Sequence, residues 1–259
     1  MRALARPVPL TALVLAGALA AWIITVQRMR GMDAGPGTDL GGLGWYVGIW
    51  VTMTAAMMLP SATPMVLLFA RAWSERTRGA ALVPAAIFVS GYLAAWTAYG
   101  LAAYGVYRAV VVAGTGWLAW DRAGPYVAGG ALIAAGLYQL TPLKDVCLRH
   151  CRSPLGFLFR RPLGNPARAF RLGVEHGSFC IGCCSGLMLA LFALGVMSLF
   201  WMAVAAAAIL AEKVAPQGER IARVLAVALV ALGIWVAAAP GSVPGLTQPD
   251  RVGPSMSMH

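Results

Sequence analysis

The chain has 259 residues, of which 60% are hydrophobic and 11% charged, with a formal net charge of +11. Soluble domains carry about 25% charged and 45–50% apolar residues, so this composition excludes an ordinary soluble domain. It also argues against a nucleic-acid partner, because the basic residues lie in short loops between apolar stretches, where an Arg excess orients a membrane protein and touches anionic headgroups.

About 17–25 mainly apolar residues span a bilayer. By that measure seven segments qualify in chain order: 8–27, 44–70, 81–107, 125–141, 174–193, 196–213 and 219–239. The expected fold class is therefore all-α, a polytopic helical membrane bundle of about seven transmembrane helices with no soluble domain. The first segment follows Arg2 and Arg6 and resembles a secretory signal, but it exceeds an ordinary h-region and lacks a clear small-x-small cleavage site, so a retained span is expected. The second carries Pro60 and Pro64, which should break or kink it near its end. Residues 109–120 are apolar but short, which favours an interfacial turn or re-entrant piece. One continuous apolar block runs from Phe179 to Ala211, too long for a single span, and a tight turn near Gly195 to Ser198 divides it.

Charge sets the expected topology. With the N-terminus inside, the inner segments hold fifteen of the 20 Lys and Arg, including Lys144 and Lys213. That asymmetry favours N-in, C-out and an inner-membrane location. Trp22, Trp45, Trp117, Trp201 and Trp235 then fall near the outer interface. The basic loop 142–173, with Phe157, Leu158 and Phe159 between its charges, reads as a partly helical segment lying on the inner leaflet. The tail, 240–259, is rich in Pro, Gly and Ser and is expected to be disordered.

All five cysteines fall between Cys147 and Cys184. In the run Glu175-His176-Gly177-Ser178-Phe179-Cys180-Ile181-Gly182-Cys183-Cys184, helical geometry puts His176, Cys180 and Cys183 within about 60° of one another, with Cys184 at the edge of that face. A second soft-ligand face combines Cys147 with His150 and Cys151. The topology brings both faces to the cytoplasmic boundary. Thiolate and imidazole suit Cu(I), Zn(II) or iron–sulfur chemistry and disfavour Mg or Ca. A reducing cytoplasm argues for metal or transient thiol chemistry over structural disulfides. Glu175 could complete a metal shell, shuttle a proton, or pair with Arg171 at i−4. On the second span, Met53, Met57 and Met58 group together, and thioethers select Cu(I), although Met is equally a core filler. Gly173-xxx-Gly177 and Gly182-xxx-Gly186 permit a close helix approach, expected to bring the Met face against the Cys/His face. The tail Met256-Ser257-Met258-His259 resembles a copper-capturing sequence or is simply a disordered end.

Ala56-Met57-Met58-Leu59-Pro60-Ser61-Ala62-Thr63-Pro64-Met65, Tyr138-Gln139-Leu140-Thr141-Pro142-Leu143-Lys144 with Cys147 and Cys151, and Gly173 to Cys184 together resemble the bacterial membrane family known as domain of unknown function 2182. The resemblance runs from roughly residue 45 to 215. It implies a multi-span helical protein with a metal site on the matching Cys/His positions, and it leaves the metal and the reaction open.

The expected function is binding of a soft transition metal, copper before zinc, for transport or delivery to a membrane metalloenzyme or metallochaperone partner. A homo-oligomer in the bilayer is compatible with that role. The rival from another class is a membrane thiol-disulfide oxidoreductase using Cys180 and Cys183, with Glu175 or His176 handling protons. A third reading is a structural or assembly subunit whose cysteines only pack.

Overall fold

The computed structural model describes residues 7–30, 40–113, 122–153, 158, 163–196 and 198–243. These form α1 (Pro7–Met29), α2 (Leu43–Thr77), α3 (Leu82–Val112), α4 (Gly124–Tyr138), α5 (Pro142–Arg152), α6 (Pro166–Leu194), α7 (Leu199–Val214) and α8 (Gly218–Ala238), closed by the short turn Pro240–Ser242. Among the described residues there is no strand.

Each of the seven apolar segments forms a helix. Five of them (α1, α2, α3, α6 and α8) are long and apolar enough to cross a membrane. At 1.5 Å per residue, α4 and α7 reach only about 22 and 24 Å, short of a hydrocarbon core of about 30 Å. The outer faces support a lipid surrounding. Leu19 on α1, Val106 on α3, and Val224 and Val227 on α8 are each more than 60% exposed, and apolar surface on this scale needs a non-aqueous neighbour.

Local sequence chemistry sets the helix starts. Thr141 caps α5 by accepting from the Lys144 N–H, and Asn165 caps α6 by accepting from the Ala167 N–H, each followed by a proline at the first helical position. Ser198 does the same for α7. α6 closes at Leu194 and α7 begins at Leu199, with Gly195 at φ +107° between them, where the long apolar block was expected to turn.

Several expectations are revised. Pro60 and Pro64 do not break α2, which continues for three further turns to Thr77. The hydroxyls of Ser61 and Thr63 bond back to the carbonyls of Met58 and Leu59 and hold the turns around the prolines, and a low-dielectric surrounding keeps the remaining ladder intact. α3 extends to Val112, so 109–112 are helical; 114–120, with Trp117, lie outside the described residues. The basic loop is more structured than expected. It contains α5 and the first two turns of α6, and Leu158 inserts into the core beside Phe69 and Phe88 instead of lying on the leaflet. The tail begins ordered: Trp235 donates its indole N–H to Ser242 Oγ at 2.7 Å, and Val243 is buried. Met256, Met258 and His259 lie outside the described residues.

α2 and α6 form the centre. α3 packs along α6, α4 along α8, and α1 against α2. Gly173 on α6 faces the Phe88 carbonyl of α3, and Gly91 on α3 faces the Phe170 carbonyl of α6, so neither position has room for a Cβ. Gly182 is covered by Cys147 of α5 and Gly186 by Ala135 and Tyr138 of α4. The small-residue faces of α6 therefore receive α3, α5 and α4. α2 meets α6 through long side chains, as in the Trp50 and Phe192 rings 5.8 Å apart.

The strongest polar tie lies at the end of α4. Lys144, fully buried, bonds both carboxylate oxygens of Glu212 at 2.8 Å, and Gln139 donates to Glu212 at 2.9 Å while accepting from Lys144. The triad joins the end of α4 to α5 and α7. Removing one partner of such a pair strands a buried charge at a cost of about 3–5 kcal/mol, whereas replacing both with apolar groups is often neutral. Glu212→Ala is accordingly expected to lower the thermal unfolding midpoint sharply in detergent, and Lys144→Met/Glu212→Leu to recover most of it. Circular dichroism melts of the single and double variants check this.

Candidate metal centre

Three of the five cysteines meet on one face of α6. The sulfurs of Cys180, Cys183 and Cys184 lie within 4.8 Å of one another, and all three residues are buried. The i, i+3, i+4 spacing places the thiols on adjoining ridges of the helix. Cys183 and Cys184 have sulfurs 3.5 Å apart, and the Cys183 thiol also donates to the Cys180 carbonyl at 3.2 Å.

α5 delivers a fourth sulfur. Cys151 Sγ stands 3.7 Å from Cys183 Sγ. It is the one residue of the five cysteines that is not fully buried, although its sulfur faces the cluster. Two clamps set this position: the Lys144–Glu212 pair near the start of α5, and Arg152 at its end, which donates to the carbonyls of Ala215 at 2.6 Å and Pro216 at 3.0 Å.

Two further groups reach Cys180. Tyr92 of α3 has its hydroxyl 3.0 Å from the sulfur, and Lys213 of α7 donates to it at 2.9 Å. Lys213 Nζ also donates to Ser61 Oγ of α2 at 3.3 Å. Helices α2, α3, α6 and α7 are thus all represented around one thiol. The sequence reading counted Lys144 and Lys213 as inner-loop charges, yet one sits in a buried ion pair and the other on a cysteine sulfur. Tyr92, Ser61 and Lys213 lie remote from the cysteines in sequence, and no spacing rule connects them.

The other predicted site residues are placed differently. His176 is buried next to the thiols, with its ring 6.0 Å from Phe88 and 5.8 Å from Tyr92, but its nitrogens lie outside the thiol group. His150 is exposed, stacks on Phe179 at 4.5 Å and engages the Val146 carbonyl through Nδ1 at 2.8 Å. Cys147 packs on Gly182, and its burial pushes the thiol up from its ordinary value. Glu175 pairs with Arg171 at 3.4 Å, the i−4 alternative. Met53, Met57 and Met58 are all buried and share one apolar cluster with Cys180, Cys183 and Cys184. The Met and Cys faces therefore belong to one core, joined by side chains instead of close backbone packing.

Three mutually close buried sulfurs and a fourth beside them form a donor set that suits a soft ion, with methionines elsewhere in the same apolar core. The three close sulfurs with Cys151 beside Cys183 also match the four-ligand count of a closed zinc site. Hard oxygen-seeking cations find no matching donors among these sulfurs.

Fold and centre together define a polytopic helical protein built around a buried thiol cluster suited to soft-metal handling. The chain matches the PpoB2 copper chaperone family over residues 47–236 and belongs to that family. Neither a curated relative nor a solved structure matches it.

The juxtaposition of Cys151 and Cys183 has a direct chemical signature. A disulfide needs its sulfurs at about 2.05 Å, so the two at 3.7 Å must close by rather more than 1 Å to join. Mild oxidation of the purified protein is expected to yield a Cys151–Cys183 cross-link between α5 and α6, found by peptide mass mapping and lost in Cys151→Ser.

Proposed function

We propose that this protein holds Cu(I) at Cys180, Cys183 and Cys184 and passes it by thiolate exchange to or from Cys151, supplying copper to a membrane metalloenzyme. The observation that carries the reading is the cluster of three buried sulfurs with a fourth, on the partly buried Cys151, 3.7 Å away. Copper is the cargo, and membership in a copper chaperone family supports the choice of metal.

Charge balance is consistent with the same ion. With two of the three cysteines as thiolates and the third as a neutral thiol, a Cu(I) centre carries one net negative charge, which is costly in a low-dielectric interior unless compensated. The Lys213 ammonium, 2.9 Å from Cys180 Sγ, supplies one positive charge, so a two-thiolate Cu(I) centre beside it is neutral. Met53, Met57 and Met58 would serve as weaker thioether stations within the same core. His176, Glu175, Cys147 and His150 have no place in the primary ligand set on this reading.

Two outcomes test it. Cys180→Ser/Cys183→Ser is expected to lose nearly all bound Cu(I) in a competition titration against a Cu(I) chelator, while Cys147→Ser retains it. Unaltered stoichiometry and affinity in the double variant would overturn the assignment. Lys213→Leu, which removes the charge without adding a sulfur donor, is expected to weaken Cu(I) binding at least about tenfold, or about 1.4 kcal/mol, and Lys213→Arg to recover part of it.

A further inference from the structure

Beside the end of α5 lies a cleft of about 700 Å³, open to solvent. Its walls come from Leu148, Arg149 and Arg152 of α5 and from Gln217, Glu219 and Arg220 at the start of α8. The volume falls in the range of small-molecule pockets, about 300–1,000 Å³. Three guanidinium groups meet the one carboxylate of Glu219 there, so the lining is cationic. Arg152 is built into the wall: it donates to the carbonyls of Ala215 and Pro216 and lies over Gly218, where any Cβ would strike it. Arg149 and Arg220 are exposed, and Arg220 also donates to Gln217 Oε1 at 3.5 Å.

What lies next to the cleft gives the charge its significance. α8 is long and apolar enough to cross a membrane, and after Arg223 it carries no charged residue through Ala238. The cleft therefore stands where the polar first turns of α8 give way to its apolar length, the level of lipid headgroups. Arg220, Val224, Val227, Ala231 and Ile234 fall within about 80° of one another around the helix, and all five are exposed. At 1.5 Å per residue the stripe from Arg220 to Ile234 runs about 21 Å, more than one leaflet's half of a hydrocarbon core of about 30 Å. A cationic cleft thus opens onto an outward apolar stripe long enough for an acyl chain.

We propose that the cleft holds one anionic phospholipid, with its phosphate on Arg149, Arg152 and Arg220 and an acyl chain along Val224, Val227 and Ile234 of α8. Paired guanidinium–phosphate hydrogen bonds fix orientation as well as charge, and basic pockets between membrane helices suit anionic headgroups. A zwitterionic lipid brings its own ammonium toward three arginines and is disfavoured. A soluble phosphate would meet the same charges but leave the apolar stripe unused, and that continuity favours the lipid. The bound headgroup would bridge α5 to the start of α8, adding to the tie that Arg152 makes with the α7–α8 connection. The inference stands independently of the copper reading.

The test uses full-length protein in detergent, comparing wild type with Arg149→Gln/Arg220→Gln and with Arg168→Gln/Arg171→Gln, which removes two exposed charges of α6 outside the cleft. Thermal unfolding midpoints are measured first to establish the same fold. Native mass spectrometry then counts the lipid retained during titration with dioleoylphosphatidylglycerol or dioleoylphosphatidylcholine. Wild type and the α6 variant are expected to retain one phosphatidylglycerol in preference to phosphatidylcholine. The cleft variant is expected to bind it at least about tenfold more weakly, a factor equal to about 1.4 kcal/mol. No preference for phosphatidylglycerol in wild type, or equal loss in both variants, overturns the proposal. Inorganic phosphate is added as a competitor, and displacement of the lipid by an equal concentration of phosphate would assign the cleft to a soluble anion and likewise overturn it. In a separate arm on wild type, phosphatidylglycerol carrying a diazirine midway along one acyl chain is photolysed on the protein. Labelling concentrated on α8 between Val224 and Ile234 supports the site, and labelling spread evenly over the lipid-facing helices overturns it.

Discussion

The buried contact between Lys144 and Glu212 governs how the rest of the centre is arranged. Two charges removed from water are tolerated only when they meet at good geometry and their remaining hydrogen-bonding capacity is filled. Both conditions hold: Lys144 bonds each carboxylate oxygen, and Gln139 joins both partners. The pair fixes α5 against α7. Because Lys213 follows Glu212 on α7, about 100° around the helix, orienting one residue toward α5 turns the next toward α6. The ion pair and the Lys213–Cys180 contact are two consequences of one helix orientation.

This linkage explains why a short polar helix can carry a thiol to the right place. α5 has 11 residues and a mostly polar surface, too short to be stable alone in water. Its order comes from tertiary contacts: the Thr141 cap and Pro142 start it, Lys144 anchors its first turn, and Arg152 ties its last turn to the α7–α8 connection. Cys151 is held between two anchors. Its sulfur reaches Cys183 while part of the residue stays accessible.

The close helix contacts around the centre follow from small residues, and they direct neighbours differently from a simple pairing of motifs. Glycines on both α3 and α6 bring those backbones together and deliver Tyr92 to Cys180. α2 stands farther from α6, and the intervening space is filled by methionine, tryptophan and phenylalanine side chains. The prolines of α2 are accommodated without breaking it. Flexible thioethers fill this space well, since methionine occupies irregular gaps without a rigid shape requirement.

The amino-acid sequence by itself determined the helical class, the existence of each of the seven apolar helices, and the break between α6 and α7, because apolar length, proline-led starts and capping residues act locally. It also determined that Cys180, Cys183 and Cys184 share a face, since helical periodicity is a property of one segment. The pairing of Glu175 with Arg171, one of the alternatives weighed, is local in the same sense. Only the tertiary structure decided which thiol of α5 meets α6, that His150 turns to Phe179, and that Lys144 and Lys213 leave the inner-face charge count to serve inside the protein. Those outcomes depend on the rotation of whole helices about their axes, which is set by glycine contacts and one buried ion pair between residues 68 positions apart. No periodicity within a single segment encodes a rotation relative to another.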